Sequence, residues 1–529
     1  MKKYILRLAI LALSAGSAGA TTINVPGTQP TIQAGIDAAA TGDTVLVAAN
    51  TYTADGNRDI DFGGKAVVLL SESGPDVTII DCQGTESVPH RGFLFHSGED
   101  STTIIEGFTI SNGYGPLYGA FIKVSNGGAI LCDSASSPRI TNCVFQDNAV
   151  GSVGGGTGGA IYCTGGTLPI IEDCRFTDNF AGGAMQGKGG AFGSKGAAAV
   201  FVNCVFSGNS ANIGGGVYIE DSVAYFNDCE FTGNSAVTYE DGSTGGSGAG
   251  INLVRSATRL TNCVFSLNTS YSYGTTGTDA AGKGGGITCN RSAATVVNCT
   301  FQGNVAERPS LGTGGKGGGI YCLKASPSIE KSIIAFNESD GVFCDSVDFN
   351  PSLTCTNVYG NDDGLGDWVG CITLQEGIAN NLSEHPRFCS QFPPDLTLQD
   401  NSPCAAANSP CGELIGALDV ACPASAVEDH DNAGELPDKF TLKQNYPNPF
   451  NPATAIDYAL PERLHVRLTV YNVLGQEITT LVDESQAAGS HRAIWNGTDQ
   501  QGRPVSSGVY LYRLSSDEFA QSMKMILMK

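Results

Sequence analysis

The sequence is short of positive charge and of histidine. Its 529 residues include 29 lysines and arginines against 52 aspartates and glutamates, which gives a formal net charge of −23 at pH 7. So acidic a surface disfavours nucleic acid and an anionic membrane face as partners, because both would repel it. It also disfavours a polyanionic substrate such as pectate unless calcium intervenes. Only six histidines are present, and none lies between Phe108 and Asn337.

The sequence also lacks an apolar run long enough to cross a bilayer. The short run Ile5–Leu13 follows Lys2 and Lys3 and precedes Ala18-Gly19-Ala20, an order typical of a secretory signal peptide, which we predict at residues 1–20. Cleavage after Ala20 removes three basic residues and no acidic one, so the net charge goes from −23 to −26. The mature chain is expected to be exported and to contain no transmembrane segment.

Helical periodicity is almost absent too. Thr31–Ala40 is the one plausible helix, with Ile32 and Ile36 on one side, Pro30 before it and Gly42 after it. At this place in the chain, a short amphipathic helix predicts a cap that plugs the open end of a solenoid.

What the chain has instead is repetition. One phrase is a glycine-rich start followed by a strand-like segment, and it begins at Gly127, Gly158, Gly189, Gly214, Gly248, Gly284 and Gly317. A second phrase has a cysteine, a phenylalanine two residues later and an asparagine three beyond that, with its cysteines at Cys143, Cys174, Cys204, Cys229, Cys263 and Cys299. Successive cysteines lie 31, 30, 25, 34 and 36 positions apart. Within each unit, however, the cysteine always follows the sixth residue of the glycine-rich phrase by 10 or 11 positions. A unit repeated in this way predicts a solenoid.

The spacings inside the unit predict a right-handed parallel β-helix. Residues two apart, such as Cys143 and Phe145, share one face of a strand. Each repeat cysteine follows an Asn or Asp, and both tolerate the left-handed bend that re-aims a chain between two strands. The unit is expected to run strand, bend, strand, turn at the asparagine, glycine-rich loop, strand. Its phenylalanines should form one internal stack of Phe145, Phe176, Phe206, Phe231, Phe265 and Phe301. The variable lengths all fall between the asparagine and the next glycine pair, so the loops should emerge on one side.

Thirteen of the 18 cysteines fall into two populations. The repeat cysteines occupy a slot that neighbouring units fill with Phe108 and Ser332, so we interpret them as buried, reduced thiols. The second population lies in irregular sequence, where disulfides are expected: Cys344, Cys355, Cys371, Cys389, Cys404, Cys411 and Cys422. Cys404–Cys411 is the pairing we regard as the readiest.

The domain organisation follows from these patterns. An all-β chain is predicted: a right-handed parallel β-helix over residues 21–422 with an N-terminal capping helix, then a small immunoglobulin-like β-sandwich over 439–529. Regular coils should span about 79–337 and irregular, cysteine-rich coils 338–422, in one continuous solenoid from about Thr44 to Cys422. Residues 423–438 have several acidic side chains and no apolar period, which is typical of a linker. Alternation in Val466–Tyr471 and Val509–Leu514 predicts the sandwich strands.

Several phrases resemble known families. Thr31–Ile36 with Gly42–Val45 resembles the opening of pectin-lyase-type β-helix proteins, and Ser402–Leu418 the closing coil common there. The two repeated phrases resemble those of the polymorphic outer-membrane protein family, whose β-helices are associated with adhesion, although that family ends in a membrane barrel.

The last ninety or so residues resemble the C-terminal sorting domain of type IX secretion substrates. The phrases that match are Asn445–Asn451, Tyr471–Gly475, Ser507–Tyr510 and Lys524–Lys529. The resemblance implies export across a bacterial outer membrane by the type IX secretion machinery, followed by surface attachment or release.

The sequence offers no catalytic motif. Asp147 and Asp178 recur beside the turn and should stack on adjacent coils, but Gly208, Gly233 and Gly303 take that position elsewhere. The arginines of the coils form no pattern: Arg139, Arg175, Arg255, Arg259 and Arg291. Neither the Asp-Asp with His-Gly signature of pectin hydrolases nor the Asp-His signature of pectate lyases is present. Gly154-Gly155-Gly156 has no Lys-Ser/Thr after it and is interpreted as a loop.

We therefore assign no catalytic, cofactor-binding or metal residue. Asn361–Asp367 offers oxygens for calcium, but it lacks EF-hand spacing, so a solvated turn is the preferred interpretation. The predicted function is that of a secreted or cell-surface adhesin or glycan-binding scaffold, whose partners are the secretion machinery and a polysaccharide or neighbouring cell surface. The alternatives are a polysaccharide lyase or hydrolase and a passive structural protein. Carboxylates clustered with Arg or Lys in one outward groove would favour the enzyme.

Overall fold

The structure is a computed structural model. It describes residues 19–118, 124–151, 154–183, 186–238, 246–272, 281–307, 315–346, 348–361, 367–390, 395–424, 439–445, 448, 450, 454–461, 463–473, 475–486, 489–500, 503, 505–516 and 519–527. Almost all of the predicted signal peptide and of the predicted linker lies outside these residues, as do several shorter segments. The chain divides into two compact units, Met1–Cys389 with Leu396–Ala424, and Ser390–Asp395 with Ser425–Lys529.

The first unit is the predicted solenoid, built from four parallel sheets that run along its length. Sheet 1 follows the glycine pairs and comprises Ile60–Asp61, Phe93–Phe95, Ile130–Cys132, Ile161–Thr164, Phe192–Lys195, Val217–Glu220, Ile251–Val254, Ile287–Asn290, Ile320–Leu323 and Val342–Cys344. Sheet 2 comprises Thr22–Val25, Thr44–Val47, Val68–Ser71, Ile104–Glu106, Arg139–Thr141, Ile170–Glu172, Ala198–Val202, Val223–Asn227, Ala257–Thr261, Ala293–Val297, Ser328–Glu330 and Ser352–Thr354.

The other two long sheets complete each coil. Sheet 3 carries the phenylalanines and comprises Asn50–Tyr52, Thr78–Asp81, Thr109–Ser111, Val144–Gln146, Arg175–Thr177, Val205–Ser207, Glu230–Thr232, Val264–Ser266, Thr300–Gln302, Ile333–Ala335 and Asn357–Tyr359. Sheet 4 precedes the loops and comprises Ala149–Val150, Phe180–Ala181, Ser210–Ala211, Ser235–Thr238, Thr269–Ser272 and Val305–Glu307. A small sheet of Leu117–Tyr118, Val124–Asn126 and Gly156–Thr157 lies beside the early coils.

The register confirms the predicted internal stack. Phe231 pairs with Phe206 and Phe265 on the neighbouring strands, and its ring centroid lies 4.7 Å from the first ring and 4.6 Å from the second. All six repeat phenylalanines have no solvent exposure. A second core row from sheet 2, which includes Phe201 and Phe226, packs edge-on against them.

The corners of each coil use left-handed residues, as predicted for the bend before each cysteine. Asn142, Asp173, Asn203, Asp228, Asn262 and Asn298 have φ between 50° and 55°. At the glycine pair, Gly158 has φ 69°, and a Cβ on Gly159 would come within 2.0 Å of the Gly190 carbonyl oxygen in the next coil. The pairs are therefore conserved from coil to coil within this chain because each corner leaves no room for a side chain.

The prediction of a turn at the repeat asparagine is wrong in one respect. The left-handed residue is the one before it, such as Asp178 or Gly208, and the asparagine itself points inward. Asn209 Nδ2 donates to Asn234 Oδ1 at 2.9 Å and to the Phe176 carbonyl at 2.9 Å. The same pattern continues through the fully or almost fully buried row of Asn148, Asn179, Asn209, Asn234, Asn268, Asn304, Asn337 and Asn361.

The repeat cysteines are buried and unpaired, as predicted. Their slot accepts Phe108 before the row and Ser332 and Thr356 after it, and each of these three has no solvent exposure. The main cause of the raised pKa of Cys174, Cys204, Cys229 and Cys263 is burial, which keeps these thiols protonated.

The cysteine-rich segment contains disulfides, but not the pairing that we expected. The bonds are Cys344–Cys371, Cys355–Cys411 and Cys389–Cys422, whereas Cys404 is a buried free thiol. Cys404–Cys411 is therefore wrong. Cys404 instead packs in an apolar cluster with residues such as Ile333 and Ile415, which leaves Cys411 to bond a cysteine of the last coils.

The last part of the solenoid is less regular. The stacked strands run from Thr22–Val25 to Asn357–Tyr359, and the 3₁₀-helices Gly370–Gln375 and Ile378–Asn380 follow. The expected closing coil instead folds back onto the outer side of sheet 3. There, Gly416 donates its backbone N–H to the Lys331 carbonyl at 2.8 Å, and Ala417 donates to Thr300 Oγ1 at 3.0 Å. We call the described residues 388–390 and 395–422, with the strands Phe388–Ser390, Asp395–Gln399 and Val420–Cys422, the clamp.

The N-terminal cap forms as predicted. The helix spans Ile32–Ala38, and the Thr31 hydroxyl accepts a hydrogen bond from the Ala34 backbone. Ile32 and Ile36 are buried in the solenoid core. No helix in the described ranges is long and apolar enough to span a membrane.

The second unit is an immunoglobulin-like sandwich of antiparallel strands. Its two sheets are Thr441–Leu442, Thr454–Leu460 and Gly489–Trp495, and Glu477–Gln486, Leu464–Asn472, Gly508–Ser515 and Ala520–Leu527. Trp495, Tyr458 and Tyr512 fill a core separate from that of the solenoid. Two asparagines of the Asn445–Asn451 phrase bond to different strands: Asn448 Oδ1 accepts the Ile526 N–H of the last strand at 2.8 Å, and Asn445 donates its backbone N–H to the Tyr512 hydroxyl of the strand before it at 2.7 Å.

Candidate ligand-binding site

The outer side of sheet 1 carries aromatic rings with lysines over them. Lys188 Nζ lies 4.9 Å from the centroid of the Tyr218 ring. Lys316 Nζ lies 4.9 Å from the Phe343 ring, and Lys283 Nζ lies 5.8 Å from the Tyr321 ring. Each lysine directly precedes a glycine pair and reaches the aromatic residue of the next coil, so the repeat itself generates the arrangement. Such cation–π contacts fix the ammonium group and cover the ring.

Around Tyr218 these contacts extend into an ionic cluster, which we call the Glu220 cluster. The Tyr218 hydroxyl donates to Glu220 Oε2 at 3.1 Å, and Arg255 Nη2 donates to Glu220 Oε1 at 2.8 Å. Arg255 also bonds Asp221 through Nε at 2.7 Å and Nη2 at 2.8 Å. Lys195 Nζ is 3.7 Å from Glu220 Oε1. The register produces this grouping because Lys195, Glu220 and Val254 are partners on successive strands of sheet 1, and Arg255 follows Val254.

The cluster holds its groups in fixed protonation states. Burial works to raise the pKa of Glu220, but the hydrogen bond from Arg255 and the charges of Lys188 and Lys195 outweigh it, so this pKa lies below its ordinary value. The hydrogen bond from Arg255 also lowers the pKa of Asp221. Burial, with the charge of Glu220, raises the pKa of Tyr218 well above its ordinary value. Near neutral pH, the cluster is a set of fixed charges and a phenolic donor rather than a proton-transfer pair.

A pair of glutamates lies on the loop-bearing side, at the end of sheet 4. Glu307 closes the strand Val305–Glu307, and Glu338 forms a bridge with Val305 from the next coil. Burial, the charge of Glu338 and a hydrogen bond with it raise the pKa of Glu307 to about 7. A like charge nearby disfavours the charged form of a carboxyl group, so Glu338 opposes the ionisation of Glu307.

Two histidine–aspartate pairs lie in the first coils. His90 Nδ1 is 2.6 Å from Asp59 Oδ2, and His96 Nε2 is 3.0 Å from Asp61 Oδ2. The nearby Glu99 is buried and accepts bonds from Gly64, Ser97 and Ser136, so its role is to hold loops. No group of three potential metal ligands occurs among the residues that are described.

The residues singled out from the sequence are mostly structural. Asp147 and Asp178 do occupy matching corners of adjacent coils, and the pKa of Asp178 is raised by burial and then by Asp147. Arg139 pairs with Glu172 and Arg175 with Asp76, each away from sheet 1. Gly156 enters the small sheet beside the early coils.

The segment considered for calcium is only partly described, since residues 362–366 lie outside the structure's ranges. Asn361 is the last member of the asparagine row. Asp367 accepts backbone bonds from Gly360 and Asn361 at 2.8 Å each. The oxygens at both ends of this segment are therefore already engaged within the fold.

The Glu220 cluster was not predicted from the sequence. Of its members only Arg255 was considered there, among arginines that form no pattern. The sequence did contain a sign of the lysines in this region. Lys188, Lys283 and Lys316 each stand before a glycine pair, at the same distance from an outward-facing residue of the sheet 1 strand that follows. What hid it was the uneven period, because Arg255 lies 35 residues beyond Glu220 and only the register brings them together.

The comparisons with known proteins agree with this architecture. The model for the right-handed beta helix region matches residues 65–270, and that for the FlgD Ig-like domain matches 451–518. The repeat of the Chlamydia polymorphic membrane protein matches residues 298–323. The predictions of a β-helix, of polymorphic-membrane-protein-type repeats and of an immunoglobulin-like domain are confirmed. No curated protein matches the chain.

Two solved structures share local similarity with the chain. Dimeric latent PorU from Porphyromonas gingivalis is 19% identical over 21% of this chain and 10% of its own, with a TM-score of 0.15. PorZ, a surface component of the type-IX secretion system of the same organism, is 15% identical over 19% of this chain and 13% of its own, with a TM-score of 0.14. The chain thus spans about a tenth of the length of either protein, and neither likeness bears on its function.

Proposed function

We propose that this protein is an exported, surface-located scaffold that binds glycans through the outer side of sheet 1, without cleaving them. The observation that carries the proposal is the Glu220 cluster. Its carboxylates are held ionised by Arg255, and its tyrosine remains a donor, so the cluster offers directed hydrogen bonds and no group ready to exchange a proton. Sugar hydroxyls are recognised by fixed donors and acceptors of this kind.

Glycan-array binding of the mature full-length protein tests the proposal. Glu220→Gln removes the charge that organises Arg255, Lys195 and Tyr218, and should weaken binding at least several-fold. Glu230→Gln is the matched control, because Glu230 belongs to the same coil but is exposed on the outer side of sheet 3. Equal binding by the two variants, or no binding to any glycan by the unaltered protein, would contradict the proposal.

Export is the second part of the proposal. The phrases of residues 445–529 that resemble type IX sorting domains support it, as does the position of an immunoglobulin-like domain after the solenoid. Asn448 of the first phrase ties the last strand into that domain, and Asn445 bonds Tyr512 and Thr454 on other strands of it, which gives the phrase a physical role in presenting the C-terminal strand. The partners proposed on this basis are the secretion machinery and a surface polysaccharide.

A second candidate function, cleavage of a polysaccharide, is favoured by two observations. Carboxylates cluster with Arg255 and Lys195 on the outer side of sheet 1, which is the arrangement expected of an enzyme, and Glu307 pairs with Glu338. Paired carboxyl groups, one of them protonated near neutral pH, are what glycoside hydrolases use as acid and base. Incubation with a panel of polysaccharides, followed by a reducing-end assay, tests it: activity that Glu307→Gln abolishes would support an enzyme. A scaffold that neither binds nor cleaves any glycan would be the passive structural protein.

A further inference from the structure

The next three coils extend the Glu220 cluster into a row of cations at the corner between sheets 1 and 2. Arg255, Arg291 and Lys324 occupy the same position in successive coils, since Arg255 donates its backbone N–H to the Asn290 carbonyl at 2.9 Å and Arg291 to the Leu323 carbonyl at 2.8 Å. Neighbouring strands of a sheet are about 4.8 Å apart, so the cations repeat at roughly that distance along the solenoid axis. We call these three residues the basic corner row.

The backbone at this corner is unusual for cationic residues. Arg255, Arg291 and Lys324 have φ of 48°, 50° and 49°, a region in which long side chains are uncommon. Two coils earlier the same corner is a glycine, Gly196, with φ 61°. Residues held in such conformations cluster at functional sites, where the surrounding structure fixes them. The chain thus places a cation at three positions where glycine is the conformationally easier choice.

The corner is also rigid. A buried serine follows Asp221, Arg255 and Arg291 in each case, and its hydroxyl accepts a backbone N–H from the previous coil. Ser256 accepts from Ser222 N at 3.4 Å, and Ser292 accepts from Ser256 N at 3.1 Å. The cationic side chains therefore project from a preorganised ladder, which lowers the entropic cost of ligand binding.

Two of the three charges of the row are available to a ligand. Arg255 is engaged by Asp221 and Glu220, but the side chains of Arg291 and Lys324 are exposed and form no ion pair with any residue in the described ranges. Asp345 ends the row, where it accepts the Lys324 backbone N–H at 3.2 Å. Lys283 and Lys316 border the opposite edge of the same strands of sheet 1. On a chain of net charge −23, this is a local concentration of positive charge that screening confines to its neighbourhood.

We propose that the basic corner row binds an acidic polysaccharide, whose carboxylate or sulfate groups lie along the solenoid axis. This inference rests on the glycan-binding function proposed above. It adds that the glycan is acidic and that it binds along the basic corner row. An extended polyanion matches cations that repeat once per coil in a straight line. Single-stranded nucleic acid is the poorer match, because its bases require open aromatic faces, and the Tyr321 and Phe343 rings have lysines over them.

The test measures binding of the mature full-length protein to polygalacturonate, to dextran sulfate and to neutral dextran. The double variant Arg291→Gln/Lys324→Gln should weaken binding to the acidic polymers about ten-fold, as loss of two partly exposed ion pairs does. The charge-reversal variant Arg291→Glu/Lys324→Glu should abolish it.

Arg175→Gln/Arg259→Gln removes the same charge from the outer sides of sheets 3 and 2, and should leave binding within two-fold. Thermal unfolding of each variant checks that the solenoid is intact. The stronger of the two acidic polymers identifies carboxylate or sulfate as the preferred group.

The outcomes separate this inference from the function on which it rests. Binding to neutral dextran as strong as to the acidic polymers, and unchanged in the double variant, would leave glycan binding standing and overturn the acidic ligand. Equal losses in the double variant and its control would also overturn it, because they would indicate a general charge effect. Failure to bind any glycan would overturn both proposals. Binding to single-stranded DNA alone, lost in the double variant, would keep the row as a site but refute the polysaccharide.

Discussion

At the scale of single residues, the solenoid depends on side chains that repeat their own contact from coil to coil. Asn234 donates to Asn268 Oδ1 and to the Phe206 carbonyl, both at 2.9 Å, so a polar group that is buried is also satisfied. Phe231 of the same coil adds a ring to the stack beside it. Each position is therefore constrained by two neighbours rather than by one, and a substitution in a central coil disturbs both interfaces.

Replacing Phe231 by Ala should lower the free energy of unfolding by about 3–5 kcal/mol, since a coil fixed on both sides cannot collapse into the cavity. Urea denaturation followed by circular dichroism measures the change. Phe180→Ala is the matched control, because Phe180 is 49% exposed and should cost much less. A loss for Phe231→Ala no larger than that of the control would contradict the internal stack.

The thiols lead to a second prediction at this scale. Alkylation under denaturing, non-reducing conditions should label Cys174, Cys204, Cys229 and Cys404, because burial keeps them protonated and shielded from oxidants. Peptide mapping should recover the three disulfides of the cysteine-rich segment as crosslinked pairs. Recovery of Cys174, Cys204 and Cys229 in crosslinked peptides would show that the packing interpretation is wrong.

The glutamate pair leads to a prediction about pH. Burial and the charge of Glu338 raise the pKa of Glu307 to about 7, so the folded state resists its ionisation. The stability that the protonated form contributes is complete below about pH 4.5 and is lost as the pH rises through about 7. Glu307→Gln should therefore stabilise the protein relative to the unaltered chain at pH 8 more than at pH 4, measured by thermal unfolding at each pH.

Glu338→Gln provides the internal check for that prediction. It removes the charge that opposes ionisation of Glu307, so it should also stabilise the protein more at pH 8 than at pH 4. The double variant should add little to Glu307→Gln, because the repulsion is already removed there, but it should add to Glu338→Gln, which leaves Glu307 buried. Additive effects would indicate that the two carboxyl groups do not interact.

At the scale of elements, most of the solenoid could be predicted because its information is local and repeated. Cys143 and Phe145 lie two residues apart, and the bend before Cys143 is encoded by Asn142, so each short segment specifies its own strands and corner. Because the unit is repeated, an ambiguous residue in one coil does not change the prediction that the other coils support. The asparagine row was misjudged because Asn suits both a left-handed turn and a buried amide stack, and only the carbonyl groups of the neighbouring coil decide between them.

The clamp was not predictable by the same reasoning. Its contacts join residues far apart in sequence, such as Asn298, whose Nδ2 donates to the Leu414 carbonyl at 2.9 Å, and no repeat brings them into register. Cys411 bonds Cys355 across 56 residues although Cys404 is its nearest cysteine. Spacing alone favoured the short loop, whereas packing of Cys404 in the clamp core excluded it. The Glu220 cluster was missed for a related reason. Loops of different length separate its members in sequence, so no constant spacing links them.

The Cys355–Cys411 disulfide gives a prediction at the element scale. A loop of 56 residues corresponds to a stabilisation of about 4 kcal/mol by restriction of the unfolded chain. Cys355→Ser/Cys411→Ser should loosen the clamp and raise hydrogen exchange at the Gly416 and Ala417 amides, whose partners are in the last coils. Amides of the central strand Val223–Asn227 are the control and should exchange as before. Unchanged protection at Gly416 would show that packing alone holds the clamp.

At the scale of the whole molecule, two separate cores are joined through a segment of acidic composition. The solenoid core contains its capping helix and its stacks, and the sandwich core contains Trp495, Tyr458 and Tyr512. Independent cores permit independent functions. Ligand binding is proposed for the solenoid and export for the sandwich, so each is open to a separate test.

Deletion of the residues after Asp438 should leave the solenoid folded, because its core includes no residue of the sandwich. We expect the truncated protein to unfold with the same midpoint as the solenoid transition of the full chain, and to remain in the periplasm of a bacterium with a type IX system. Immunodetection on intact cells and in periplasmic extracts distinguishes the two locations. A subtler variant, Asn448→Ala, removes the amide that ties the last strand and should reduce delivery while the solenoid still binds glycans. If the truncated protein reached the cell surface as efficiently as the full chain, the sandwich would not be a sorting domain, and the resemblance on which that proposal rests would have no functional meaning.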